Sequence, residues 1–319
     1  MKKRYGFIGL IILLLIIGVL GPKVDTTISL DKISLPNDLD LYLVDSESEF
    51  DDITEGTEKK IVWAQEANKK TPIAIVSFHG FSATRQELSP LADIVAKSLN
   101  ANLFYTRLAG HGRGSAGMIQ GSVNKWANDA NEAIKIGNRI GDKVILIGTS
   151  TGSTLATWLA LQEKGKNISA IILMSPNYYS TESNIKLVLL PWGKKIAETM
   201  IGKVRHWEPR NPLHEKYWAN DYSTAAILPM VGLVDIVDKA DLNNIKIPTL
   251  MIYSSKDKVI SVPSLKDTFE RLGSSNKQLI EFNETEDPDF HALAGDLLSP
   301  SSTNDLASQI ILFISENIN

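Results

Sequence analysis

Cysteine is absent from the 319 residues, which excludes disulfides, thiolate metal sites, a cysteine nucleophile and a lipid-modified cysteine together. The body also lacks a cationic block. Across the whole chain 33 Lys and Arg face 37 Asp and Glu, and the net charge of −4 excludes nucleic acid as a partner, since neutralising phosphates takes clustered cations. Internal repeats and low-complexity tracts are missing, and the 13 Pro and 21 Gly are scattered as loop punctuation. What remains is globular composition, 43% apolar and 22% charged, in a chain long enough to bury a large core.

The one long hydrophobic run stands at the start. Lys2, Lys3 and Arg4 precede an uncharged apolar stretch from Tyr5 to Gly21. As a helix it spans about 25 Å, slightly less than a hydrocarbon core of about 30 Å. The leading cations favour a cytoplasmic N-terminus and export of the chain beyond the run. A cleaved signal peptide is the rival reading, disfavoured because the one tolerable cut, after Gly21, leaves Pro22 directly behind the scissile bond. Residues 1–21 are therefore expected to be an anchor or signal segment. The body would then be membrane-anchored on the extracytoplasmic side, or secreted or periplasmic after cleavage. Residues 22–60 are polar and acidic and read as a spacer leading into an edge hairpin.

From residue 61 the pattern turns regular. Short β-branched runs at 61–64, 73–78, 102–106, 144–147, 168–174, 249–253 and 277–282 read as strands. Helical periodicity fills 86–99, 124–139, 151–163, 264–272 and 304–317. Apolar strands alternating with helices imply an α/β fold, a mostly parallel central sheet covered on both faces. Residues 61–319 form that domain. Between about 176 and 246 the rhythm breaks into a stretch rich in Trp, Tyr and Pro, too long for a plain crossover. It reads as a helical cap over the carboxyl edge of the sheet, where sites in such sheets form.

The strand at 144–147 runs into Gly148-Thr149-Ser150-Thr151-Gly152 and then a helix, the context a nucleophile elbow needs. Strand and helix approach so closely at that turn that the flanking positions must lack bulk. Ser150 is thus the candidate nucleophile, inert unless a base takes its proton. Asp257 follows the strand ending at Tyr253, at the same sheet rim, and is the candidate acid. Of the five histidines only His291 lies beyond it, which makes it the candidate base. Gly80 lets the chain turn so that the Phe81 amide can donate to an oxyanion. The Thr151 amide, at a helix N-terminus, is the second donor. His79 reads as structural. His206 and His214 show no metal-ligand spacing, so neither a metal nor a cofactor is expected.

On His79-Gly80-Phe81, Gly110-His111-Gly112, Trp126 with Asp129, the Gly148–Gly152 elbow, Asp257 and His291, the chain resembles the α/β-hydrolase superfamily. The nearest branch is that of capped carboxylesterases and monoacylglycerol-lipase-like serine hydrolases, and the likeness covers residues 60–319. It implies acyl hydrolysis and a largely architectural Gly-His-Gly loop in which His111 is structural, but no particular substrate. The leading reading is a serine hydrolase cleaving carboxylic esters through an acyl-enzyme, with a small ester or acyl substrate. A peptidase, thioesterase or acyltransferase on the same residues is the alternative, and a non-catalytic membrane-tethered binding protein the third reading. In the cap, Ile185–Trp192 sets apolar residues beside lysines, as a packed helix or as an edge touching lipid. Trp207, Tyr217, Trp218 and Tyr222 would line an acyl pocket or fill the cap core.

Overall fold

The computed structural model describes residues 18–162, 167–182 and 184–318. Most of the apolar run proposed as an anchor lies outside the described residues. Among those described, no helix is long and apolar enough to cross a membrane.

The principal elements of the first half are α1 (Leu39–Glu47), β1 (Lys60–Val62), β2 (Thr71–Phe78), α2 (Leu91–Ser98), β3 (Asn102–Tyr105), α3 (Val123–Ile140), β4 (Gly141–Thr149) and α4 (Thr151–Ala160). The second half adds β5 (Ile168–Met174), α5 (Gly193–Ile201), β6 (Val204–His206), β7 (Asp221–Ser223), α6 (Ile227–Asp238), β8 (Thr249–Tyr253), α7 (Val262–Arg271), β9 (Lys277–Glu281) and α8 (Pro300–Asn317). Seven strands form the central sheet in the order β1-β3-β2-β4-β5-β8-β9, with only β1 antiparallel to its neighbour.

The period of two in a strand divides the core between the faces. Ala74 and Val76 of β2, with Val144 and Leu146 of β4, pack toward α3, α4 and α7. Ile75, Ile145 and Ile147 point the other way, onto α2 and α8. Each large aliphatic side chain buried in this manner contributes about 1.5–3 kcal/mol. This is the doubly covered parallel sheet that the alternating pattern implies.

The polar segment before the sheet departs from expectation. Residues 22–37 run extended along α3 instead of forming a hairpin. The Asn124 and Asn128 side chains accept from the amides of Ser29 and Asp31 at 2.8 and 2.7 Å, and Asn131 and Lys135 donate to the carbonyls of Asp31 and Ile33 at 3.0 and 2.7 Å. Those four positions form one stripe of the helix, so the strap satisfies its backbone on side chains and needs no partner strand. The chain then enters α1, capped by Asp38 and seated through Leu39 and Leu43, one turn apart. Buried Glu47 at its end holds Arg107 in a bidentate pair at 2.8 Å on each arm.

The cap also differs from the reading. Residues 227–245 belong partly to the body, because Leu233, Val237, Leu242 and Ile245 join the main core. Only the opposite face of α6, through Ile227, Val231 and Val234, packs into the cap cluster with Tyr179, Ile185, Val188 and Tyr222. The cap proper holds a two-stranded antiparallel ribbon, β6 with β7, where no strand was expected. All three residues of β6 are exposed, so no alternating burial pattern marks it in the sequence.

Candidate active site

β4 delivers Ser150 at the carboxyl edge of the sheet, and the turn is as tight as the sequence requires. Ser150 sits at φ 49° and ψ −119°, a strained backbone for a residue with a side chain. A Cβ on Gly148 would lie 2.7 Å from the Gly152 carbonyl, and one on Gly152 only 2.3 Å from the Phe78 carbonyl. Neither position admits a side chain. The Thr151 amide stands at the first position of α4, among the N–H groups that a helix leaves without an internal acceptor.

Asp257 and His291 arrive from the loops after β8 and β9. Asp257 Oδ1 accepts from the amides of Val259 and Ile260 at 2.8 and 3.0 Å, which fixes the carboxylate plane. Its Oδ2 lies 2.8 Å from His291 Nδ1, and the aspartate side chain is fully buried. Burial alone would lower the His291 pKa. The charge and hydrogen bond of Asp257, with Glu87 and Asp287 behind it, raise it above the ordinary histidine value. With Nδ1 engaged by Asp257, Nε2 is the ring nitrogen left for other chemistry.

Ser150, His291 and Phe81 line one cavity of about 630 Å³ between the sheet edge and the cap. Trp207, Trp218 and Tyr222 line it too, whereas Tyr217 lies beside Gly56 and is not part of the lining. His79 is structural, as expected. Its Nε2 accepts from the Leu108 amide at 3.1 Å, so Nδ1 carries the proton and donates to the Gly80 carbonyl at 2.9 Å. Burial pushes its pKa down to about 4. His111 is likewise buried and held neutral, packed on His79, Phe81 and Trp126. His214 packs at a tilt on Trp207 and edge to face with Trp218, and accepts from the Arg210 amide, while exposed His206 meets Glu208.

Sequence reasoning missed the support of His291. Asp287 Oδ2 accepts from the amides of His291 and Ala292 at 3.0 and 2.9 Å, and Arg210 of the cap binds Asp287 and Asp289 at 3.2 and 2.5 Å. The cap is tied to the Asp257 loop as well, by Thr181 to Val259 and Ser261 to Tyr179. An aspartate four residues before the histidine, where a side chain can cap its own turn, was the available signal. Arg210 had none, because its partners are about 80 residues away.

Residues 69–287 match Hydrolase_4, the serine aminopeptidase S33 family. The chain belongs to that family. It is 23% identical over 216 residues to a thermostable monoacylglycerol lipase of Bacillus sp. (strain H-257), covering 67% of this chain and 82% of the relative. Among solved structures, the metagenome-derived lipolytic enzymes LipS and LipT provide a match with TM-score 0.68 at 17% identity, covering 83% of this chain and 99% of that one. A soluble variant of monoglyceride lipase from Saccharomyces cerevisiae matches with TM-score 0.62 at 12% identity, over 94% and 98% of the two chains. The fold is that of the α/β-hydrolases, and the family is one of lipase- and esterase-like hydrolases as well as the peptidases of its description.

Proposed function

We propose that this member of the family is a serine carboxylesterase acting on esters with an apolar acyl group, of which monoacylglycerols are one class. The observation that carries the reading is the 2.8 Å bond from buried Asp257 to His291, which lines the same cavity as Ser150. In the proposed reaction Ser150 Oγ attacks the ester carbonyl while His291 Nε2 takes its proton. The amides of Phe81 and Thr151 receive the oxyanion, a term of a few kcal/mol per donor. Collapse expels the alcohol, which leaves with the proton from His291, and Ser150 carries the acyl group. Water, deprotonated by the same imidazole, then releases the acid and restores the serine.

The lining supports an ester with an apolar acyl chain: Phe81, Ile185, Trp207, Trp218, Tyr222 and Met230. An aminopeptidase must also hold a free amine, and the cavity's carboxylates are already engaged: Glu182 faces Arg205, Glu208 faces His206, Asp287 and Asp289 face Arg210, and Glu87 accepts from the Gly80 amide. Profiling p-nitrophenyl esters, aminoacyl amides and acyl thioesters separates these activities. Esters should turn over fastest by at least about tenfold, and cleavage confined to amides would replace this reading with a peptidase.

We further propose that residues 5–21 hold the enzyme at a membrane beside the mouth of its cavity. The Trp192 amide donates to the Pro22 carbonyl at 2.7 Å, and the Gly21 backbone lies against the Trp192 ring. Leu187, Leu190, Trp192 and Met200 of the same cap edge are all at least 40% exposed. In vesicles containing brominated lipid, the full chain should lose more tryptophan fluorescence than its Trp192→Phe variant. Equal quenching would take the cap edge away from the bilayer.

A further inference from the structure

Glu87 is a buried carboxylate for which this mechanism has no task. It ends the short turn Arg85–Glu87 ahead of α2 and is 8% exposed, yet it lines the cavity with Ser150 and His291. Its Oε2 accepts from the Gly80 amide at 2.6 Å. The next peptide is held from the other side, since the Gly80 carbonyl accepts from His79 Nδ1 at 2.9 Å and from the Ala83 amide at 3.3 Å. The C=O and N–H of a trans peptide point in opposite directions, so fixing the Gly80 carbonyl fixes where the Phe81 N–H aims. Contact is close at this turn. A Cβ on Gly80 would stand 3.0 Å from both Glu87 oxygens and 3.2 Å from Ser150 Cβ.

We propose that Glu87 is a positioning residue of the active site, locking the Gly80 turn that aims the Phe81 amide and placing a carboxylate beside His291. The proposal rests on the serine-hydrolase reading of that site. A carboxylate is the strongest acceptor available for the amide, but as an anion it opposes the oxyanion forming nearby. Its compensation is at the imidazole, where a second negative charge behind Asp257 favours the cation formed when His291 takes the serine proton. The charged groups facing Glu87 are His291 and Asp287, the latter balanced by Arg210. Burial, with Asp287, pushes the Glu87 pKa up to about 7 against the pull of the Gly80 amide and of His291. Each therefore shifts the titration of the other, ionised Glu87 raising His291 and protonated His291 lowering Glu87.

The test is the pH dependence of full-length protein between about pH 5 and about pH 9, read both as ester kcat and KM and as the rate of fluorophosphonate labelling. Glu87→Gln keeps an acceptor for Gly80 but removes the charge. Its acid limb should move to lower pH, because His291 loses a neighbour that favours its protonated form. Glu87→Leu loses the acceptor as well, and its kcat should fall at least about tenfold below that of Glu87→Gln with KM little changed. Superimposable pH profiles for wild type and Glu87→Gln overturn the proposal, as do equal kcat values in the two variants. If the leucine variant does not fold, the Glu87→Gln profile decides alone. A wild type that is labelled but turns over no ester refutes the esterase reading instead, and the labelling profile still judges Glu87.

Discussion

Ser150→Ala is expected to lower ester turnover by about 10⁴- to 10⁶-fold while KM changes little. The variant should fold, since the strained turn is dictated by the close approach of Gly148 and Gly152 to neighbouring backbone and alanine removes only the hydroxyl oxygen. The neighbouring Ser153 hydroxyl cannot take over, because it donates to the Gly148 carbonyl at 2.7 Å and has no exposed surface. What would survive is the background from the two oxyanion donors and from substrate binding. Turnover within about tenfold of wild type would mean that another group performs the attack.

Asp257→Asn should cost about 10⁴ in kcat, and the reason is visible in the hydrogen bonds around the side chain. The amides of Val259 and Ile260 both donate to Oδ1, so the asparagine must keep its carbonyl oxygen there. Its NH₂ then replaces Oδ2 and faces His291 Nδ1 as a donor. The ring must accept on Nδ1 and carry its proton on Nε2, the tautomer that cannot take a proton from Ser150. The loss should therefore fall on kcat with little change in KM. Because the raised His291 pKa depends first on Asp257 among its charged neighbours, the residual activity should also extend to lower pH. A kcat within about tenfold of wild type would show that the Asp257 contact serves stability alone.

The parts of this molecule that were legible in its sequence are those where one physical requirement leaves few residue choices. A strand buried on both faces must be apolar throughout, so β2, β4, β5 and β8 stood out. A turn that brings a helix within contact of the preceding strand demands two glycines, so the elbow stood out as well. The illegible parts depend on partners distant along the chain. The strap over residues 22–37 looks like a spacer because its backbone is satisfied by side chains of α3, about 100 residues on. α1 buries little beyond Leu39, Leu43 and Glu47, and so small an apolar stripe carries almost no periodic signal. Glu87 falls within the run of helical periodicity at 86–99, and nothing in that pattern marks it as turned inward. In the structure α2 begins only at Leu91, and Glu87 turns inward to the Gly80 amide.

The cap illustrates the same division. Its length and broken strand rhythm mark it as an insertion, but its aromatic residues alone do not distinguish a packed core from a lining. Phe81 and Tyr222 serve as both, meeting edge to face at 5.6 Å in the cap cluster and facing the cavity. The ties from Thr181 and Arg210 to the loops of Asp257 and His291 link cap packing to the geometry of the base. Such links need coordinates to be seen.

The account turns on whether the hydroxyl at the elbow is made reactive by the imidazole lodged against Asp257. Mass spectrometry of the wild-type protein after brief exposure to a fluorophosphonate should find a single adduct on the peptide containing Ser150. Labelling should slow by orders of magnitude in His291→Ala. An adduct on a different residue, or labelling at an undiminished rate without the imidazole, would contradict it.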